Sequence, residues 1–308
     1  LLETMRYRKY SDRIYGVPMD AMSMQSELNL DHVAAAGLPI PSGPLDGPQD
    51  GEQLLEWAKA MTVLDGDRVS RSGFLMTASG PHPTVTWGIV AHQLGFRTAS
   101  DDLTTALVNP DAGKEAMQWV LDLFDKEKVS TRDVSDRYKA FGAGEGSIFW
   151  TGPWTLNGYR DQGLNLATTI IPKIGNERAT FFAMGGLEIY RQADSSRYEA
   201  TMEAIKWLSD HSFLWTTVGR GVSPRKSIRS APDYAEAGHP WSVRGAYIEG
   251  LKYATIRPVP VPASDDFSIY KGTNFTASIL EGVWAGQTSI DEAMERLGER
   301  WQDGLDGA

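Results

Sequence analysis

A chain of 308 residues, 41% hydrophobic and 23% charged, has ordinary globular composition and the length of about two domains. Its net charge of -10, with no basic stripe interleaved with aromatics, argues against nucleic acid as the principal partner. The absence of cysteine excludes disulfide frameworks, thiolate catalysis and Cys-bound zinc.

Residues 1–15 are charged and lack the apolar centre of a signal peptide. Ile14-Tyr15-Gly16-Val17-Pro18 is strand-like but has nothing ahead of it to pair with, so a further N-terminal portion is expected. Residues 15–20 read as a strand entering a crossover. Residues 28–36 read as a short helix closed by Gly37. The Pro- and Gly-rich residues 39–51 form a surface loop. Asp50 then caps a helix, with Gln53 at the capping-box position and Leu54, Leu55, Ala58 and Met61 as its apolar stripe. Phe74-Leu75-Met76 is a short strand, and Pro81 and Pro83 should break the chain ahead of a helix over residues 87–94. Asn109-Pro110 opens a helix carrying Ala116, Trp119, Val120, Leu123 and Phe124 on one face. Lys126 and Lys128 complement its dipole, and a short helix over residues 138–141 follows.

Gly146-Ser147-Ile148-Phe149-Trp150 reads as a buried strand that must stop at Gly152-Pro153. Trp154 therefore sits just past a strand end, which in an open α/β sheet faces the ligand crevice. Two interpretations stand: an aromatic plate for the C–H face of a sugar ring, or a core residue capping the sheet.

Residues 166–172 form a strand ending at proline, and Gly185-Gly186 precedes a strand over residues 187–191. Ser195 or Ser196 caps a helix bearing Tyr198, Met202, Ile205 and Leu208. Residues 222–234 are a basic loop with Pro224-Arg225-Lys226, and Pro258, Pro260 and Pro262 mark an extended segment unsuited to a central strand. A helix spans residues 275–283. Ser289 with Glu292 caps a last helix bearing Ile290, Ala293, Met294, Leu297 and Trp301. Helices and strands alternate throughout, the pattern of an α/β fold. No apolar run reaches the ~18 residues that cross a bilayer.

Several chemistries leave no trace. Gly142-Ala143-Gly144-Glu145-Gly146 lacks dinucleotide spacing and precedes a strand instead of following one. No Gly-x-Ser-x-Gly elbow occurs, and His32, His82, His92, His211 and His239 form no zinc pair. Asp20, after the Val17-Pro18 strand end, is a ligand contact or a cap. Arg225 is a ligand contact or a solvated loop charge.

Several stretches, in order, resemble the extracellular solute-binding proteins, family 1, of bacterial ABC importers, the sugar-binding group that includes maltodextrin-binding protein. They are Asp12-Arg13-Ile14-Tyr15-Gly16-Val17-Pro18, Ala34-Ala35-Ala36-Gly37-Leu38-Pro39, and Glu52-Gln53-Leu54-Leu55-Glu56-Trp57-Ala58. Gly144-Glu145-Gly146-Ser147-Ile148-Phe149-Trp150-Thr151-Gly152-Pro153-Trp154 is similar to the family's Gly-Pro-Trp stretch. Pro224-Arg225-Lys226-Ser227 and Gly286-Gln287-Thr288-Ser289-Ile290-Asp291-Glu292-Ala293 match its late loop and terminal helix. Residues 21–26 lack the family's usual Tyr-Asn-Lys.

The resemblance implies a periplasmic-binding-protein-like type II fold: two α/β lobes joined by a hinge, the first lobe incomplete. Residues 20–182 and 259–308 would form the C-terminal lobe, and residues 1–19 and 183–258 the remainder of the N-terminal lobe. It also implies a monomeric receptor without a cofactor, in the periplasm or on the outer face of the cytoplasmic membrane. Such a receptor binds a carbohydrate between its lobes, hands it to ABC permease subunits and does no covalent chemistry. It places Asp20 at the hinge side of the site, Trp154 as the stacking platform, and His82 and Trp87 on the cleft wall. Gly185 and Gly186 fall at the return crossover, and Arg225 becomes a further ligand contact. Two rivals stand beside it: a glycan-acting enzyme with stacking Trp and paired carboxylates, and a binding lobe feeding a sensor.

Overall fold

The computed structural model of the protein describes residues 16–100, 104–106, 110–189, 195–217, 221–231, 234, 241–256 and 275–306. The chain enters as β1 (Gly16–Ser23) and β2 (Gln25–Asn29), followed by α1 (Leu30–Ala35) and α2 (Gly51–Met61). A hairpin of β3 (Val63–Asp65) and β4 (Arg68–Phe74) leads to α3 (Pro81–Gln93), α4 (Pro110–Asp125) and α5 (Arg137–Gly142). Next come β5 (Gly146–Thr151), a 3-10 turn over Pro153–Thr155, α6 (Leu156–Asp161), β6 (Leu166–Thr169) and β7 (Thr180–Glu188). Then follow a second 3-10 turn over Ser195–Arg197, α7 (Tyr198–Asp210), α8 (Ser212–Thr217), α9 (Lys226–Arg229), α10 (Trp241–Gly250), β8 (Ala254–Ile256), α11 (Phe275–Trp284) and α12 (Ile290–Asp306).

These strands build two sheets. The smaller runs β1-β7-β8, with β1 antiparallel and β8 parallel to β7. The larger runs β3-β4-β5-β2-β6, with β2 antiparallel to both of its neighbours. The chain passes from one sheet to the other at Met24, the single residue between β1 and β2, and returns over residues 170–179. Both carriers are tied at the first crossing. Met24 N–H donates to the Phe181 carbonyl (3.2 Å), and Thr180 Oγ1 donates to the Met24 carbonyl (2.5 Å). β1 thus stays in the smaller sheet beyond Asp20, through Ser23.

Some local expectations hold. Asp50 accepts from Gln53 N–H at the start of α2, while the Gln53 side chain reaches back to Gln49 N–H, one residue earlier than a capping box requires. Ser289 caps the last helix through Glu292 N–H. Others are corrected. Leu28 and Asn29 belong to β2, because pairing on both sides of that strand overrides local helical preference. Asn29 then caps α1 by accepting from Asp31 and His32 N–H. Pro81 and Pro83 do not precede α3; they begin it, where a helix leaves N–H groups unbonded anyway. β7 runs through Gly185 and Gly186 instead of starting after them. The N-cap of α7 is Arg197, without a side-chain cap bond, and Met202 is exposed while Ile205 is buried. The basic loop contains the short helix α9. Asn109, Pro258, Pro260 and Pro262 lie outside the described residues.

The main core packs α2, α3, α4, α11 and α12 against the larger sheet and buries Trp87, Trp150, Trp284 and Trp301. A second, small core gathers Leu156, Val222, Tyr234 and Tyr247. It draws on α6, α10 and the segment bridged to β1, since Ala21 and Val222 exchange two backbone bonds (2.8 and 2.6 Å). This small core adjoins the sheet crossing and supports the candidate site.

Candidate functional site

The site is built around the end of β5. That strand is buried along its length, and Gly152-Pro153 stops it and turns the chain into the 3-10 segment. The Trp154 ring folds back over Gly152: a Cβ on residue 152 would overlap the indole, so glycine is required for this packing. Trp154 remains 42% exposed. Leu156, two residues on, anchors the turn in the small core beside Val222 and Tyr247.

A buried carboxyl group lies beneath this turn. Glu27 on β2 is fully buried; its Oε1 is 2.6 Å from Thr155 Oγ1 and accepts from the Tyr247 hydroxyl (2.9 Å). Burial pushes its pKa up to about 8, against the lowering effect of those two bonds. Tyr247 is itself pushed well above the usual phenol range, first by burial and then by the nearby Glu27 charge.

On the smaller sheet, β1 and β7 bring Asp20, Gly185 and Gly186 together. Asp20 pairs with Gly185 and Pro18 with Gly186, with an irregularity between them. Asp20 is buried, and its Oδ1 accepts from Gly185 N–H (2.7 Å). A Cβ on Gly185 would stand 2.7 Å from that oxygen, so the absent side chain lets the carboxylate reach the backbone.

Residues 3–239 match the family model of bacterial extracellular solute-binding proteins. The chain belongs to that family. No curated protein sequence matches it. Solved structures share its fold. An ABC substrate-binding protein from Listeria monocytogenes, in complex with cycloalternan, has a TM-score of 0.79 at 19% identity, over 99% of this chain and 74% of that one. The cyclic alpha-maltosyl-1,6-maltose binding protein of Arthrobacter globiformis gives 0.78 at 20%, over 100% and 75%. The GacH receptor of Streptomyces glaucescens, solved unliganded and with acarbose, gives 0.76 at 20%, over 99% and 74%.

Within this solute-binding protein the remaining expected site residues are disposed unequally. His82 is buried at the start of α3, and its Nε2–H donates to the Trp150 carbonyl (3.1 Å). Burial, reinforced by the Arg137 charge, holds its pKa down at about 3, so the ring is neutral. Trp87 is 1% exposed, edge-on to Phe96, and its Nε1–H donates to the Gly113 carbonyl (3.0 Å). With both faces covered and its polar atom bonded, it serves the core. Arg225 forms an ion pair with Asp210 and donates from Nε to Ser209 Oγ (3.2 Å), which ties α9 to the end of α7. The structure therefore groups Asp20, Gly185 and Gly186 on β1–β7, leaves Trp154 open past the end of β5, and buries His82 against Phe149 and the Trp150 carbonyl.

Sequence reasoning passed over Glu27, Thr155 and Tyr247. The signal was the polar run Gln25-Ser26-Glu27 inside an extended segment. A carboxylate in a strand buried on both faces must find partners or lose its charge.

Proposed function

We propose that this protein is the extracytoplasmic substrate-binding component of an ABC importer and takes a carbohydrate between two lobes. One lobe holds the larger sheet with α11 and α12 packed on it, and the other holds β1, β7 and β8, so the boundaries expected at residues 19/20 and 182/183 shift to the ends of β1 and β7 nearest the sheet crossing. The hinge lies at Met24 and residues 170–179, where the chain changes sheets. Trp154 stacks on the sugar ring, while Asp20 and the Gly185-Gly186 backbone approach hydroxyls from the other side. The lobes close on the solute, and the loaded monomer docks on permease subunits, releasing its ligand chemically unchanged. The protein acts in the periplasm or on the outer face of the membrane.

The observation that carries this function is the open indole of Trp154 at a strand end beside the sheet crossing, in a chain whose structural relatives were solved with oligosaccharides. A thermal-shift panel of maltose, maltotriose, cycloalternan and acarbose tests it. At least one should raise the melting temperature in a concentration-dependent way. Chromatography after long incubation should recover that sugar intact. No shift with any of them contradicts carbohydrate binding, and cleavage products would favour a glycan-acting enzyme.

A further inference from the structure

The turn that carries Trp154 is wired to a buried proton. Thr155 Oγ1 lies 2.6 Å from Glu27 Oε1 and 3.0 Å from the Gly152 carbonyl oxygen. A threonine hydroxyl has one proton and can donate to one of these acceptors only. Both contacts are satisfied together when Glu27 carries a proton: its O–H donates to Thr155 Oγ1, and Thr155 donates onward to Gly152. An ionised Glu27 instead draws the Thr155 proton to itself and leaves the Gly152 carbonyl without that bond. Gly152 is the residue over which the Trp154 ring packs. The second oxygen, Oε2, is buried without a hydrogen-bond partner among the described residues, which also disfavours the charged form.

We propose that Glu27 is a positioning residue for the Trp154 platform, acting as a carboxylic acid through Thr155 on the Gly152 carbonyl and braced by Tyr247 from α10. The proposal rests on Trp154 being the ligand platform. Glu27 joins three segments: β2, the 3-10 turn and α10. Its loss of a proton at mildly alkaline pH unfastens the turn, so the receptor holds sugar more weakly there.

The groups around it leave Glu27 as the one that titrates. Tyr247 on α10 and Tyr159 on α6 face it, and both are held above the ordinary phenol value by burial and by its charge. The flanking strands β5 and β6 and the 3-10 turn carry no titratable side chain. On α1, Asp31 is engaged by Asn165 and His32 by Ser147. On α10, Glu249 is paired with Lys252.

The test needs no ligand. Indole emission is recorded from about pH 6 to about pH 10, and the spectrum of Trp154→Phe is subtracted to isolate Trp154. The wild type should show one step with a midpoint near pH 8. Glu27→Gln, neutral at every pH and still a donor to Thr155, should stay at the low-pH signal throughout. Thr155→Val should lose the step, and far-UV circular dichroism checks that each variant is folded. Maltotriose affinity of the wild type should then weaken severalfold across the same step and stay level in Glu27→Gln. An unchanged step in Glu27→Gln, or no step in folded wild type, overturns the proposal. Failure of every form to bind any sugar of the panel contradicts carbohydrate binding, while the ligand-free titration still decides the role of Glu27.

Discussion

The turn after β5 and the helix after β4 each hold a tryptophan and dispose of it in opposite ways. Gly152-Pro153 ends β5 abruptly, and Trp154 folds over a residue without a side chain, keeping 42% of its surface open. After β4 the chain instead begins α3 at Pro81, and Trp87 is carried inward until Phe96 and the Gly113 carbonyl enclose it. The same residue type is thus a platform in one place and a core element in the other. What differs is the backbone after the strand: a tight turn presents a side chain, whereas a helix packed on both sides removes it from solvent.

This contrast can be broken by truncating each indole. Trp87→Ala should cost about 3–5 kcal/mol of stability, measured by denaturant unfolding, because it empties a core site and removes the indole's bond to the Gly113 carbonyl. Trp154→Ala should change stability by less than about 1 kcal/mol yet weaken sugar binding about tenfold or more. Equal stability losses would erase the distinction.

Acid and base should separate the two regions again, with opposite signs. His82, beside α3, is neutral when folded down to about 3, whereas the unfolded ring charges at its ordinary 6.5. The unfolded state therefore binds more protons in that window, and stability falls as pH drops from about 6.5 towards about 3. Glu27, beneath the turn, keeps its proton up to about 8, whereas the unfolded carboxyl releases it at 4.5. Here the folded state binds more protons, so stability is fully present below 4.5, falls as pH rises towards about 8 and is level beyond. Urea midpoints measured against pH should show both limbs. His82→Gln should flatten the acid limb and Glu27→Gln the alkaline one.

A smaller effect is expected from Gly152→Ala. The added methyl meets a side chain that can swing away, so unfolding should shift by only about 1 kcal/mol while sugar affinity drops with the displaced indole. Smallest of all, Arg225→Ala should cost about 0–1 kcal/mol, since its ion pair with Asp210 is half open to water. A large loss of sugar affinity in that variant would instead restore Arg225 to the site.

Much of this was legible in the sequence because it is local. Capping residues fixed the starts of α2 and α12, and Gly152-Pro153 fixed the end of β5. The exposure of Trp154 was left open, since strand-end position alone does not say what covers the residue. Burial of Trp87 depends on Phe96 and Gly113, and no local pattern encodes that enclosure. β2 was missed altogether: residues 25–27 carried no strand signal, and Leu28 and Asn29 read as helix, because pairing with β5 and β6 imposed extension on a stretch without a clear strand pattern. The Glu27–Tyr247 contact joins residues 220 positions apart, a distance at which sequence spacing carries no information.

Calorimetric titration of maltotriose, cycloalternan and acarbose into the wild type and into Trp154→Ala tests the platform most directly. The wild type should bind at least one of them saturably, and Trp154→Ala, equally folded, should bind that sugar about tenfold more weakly or not at all. Equal affinity in the two proteins would contradict the assignment of Trp154 as the surface on which the solute rests.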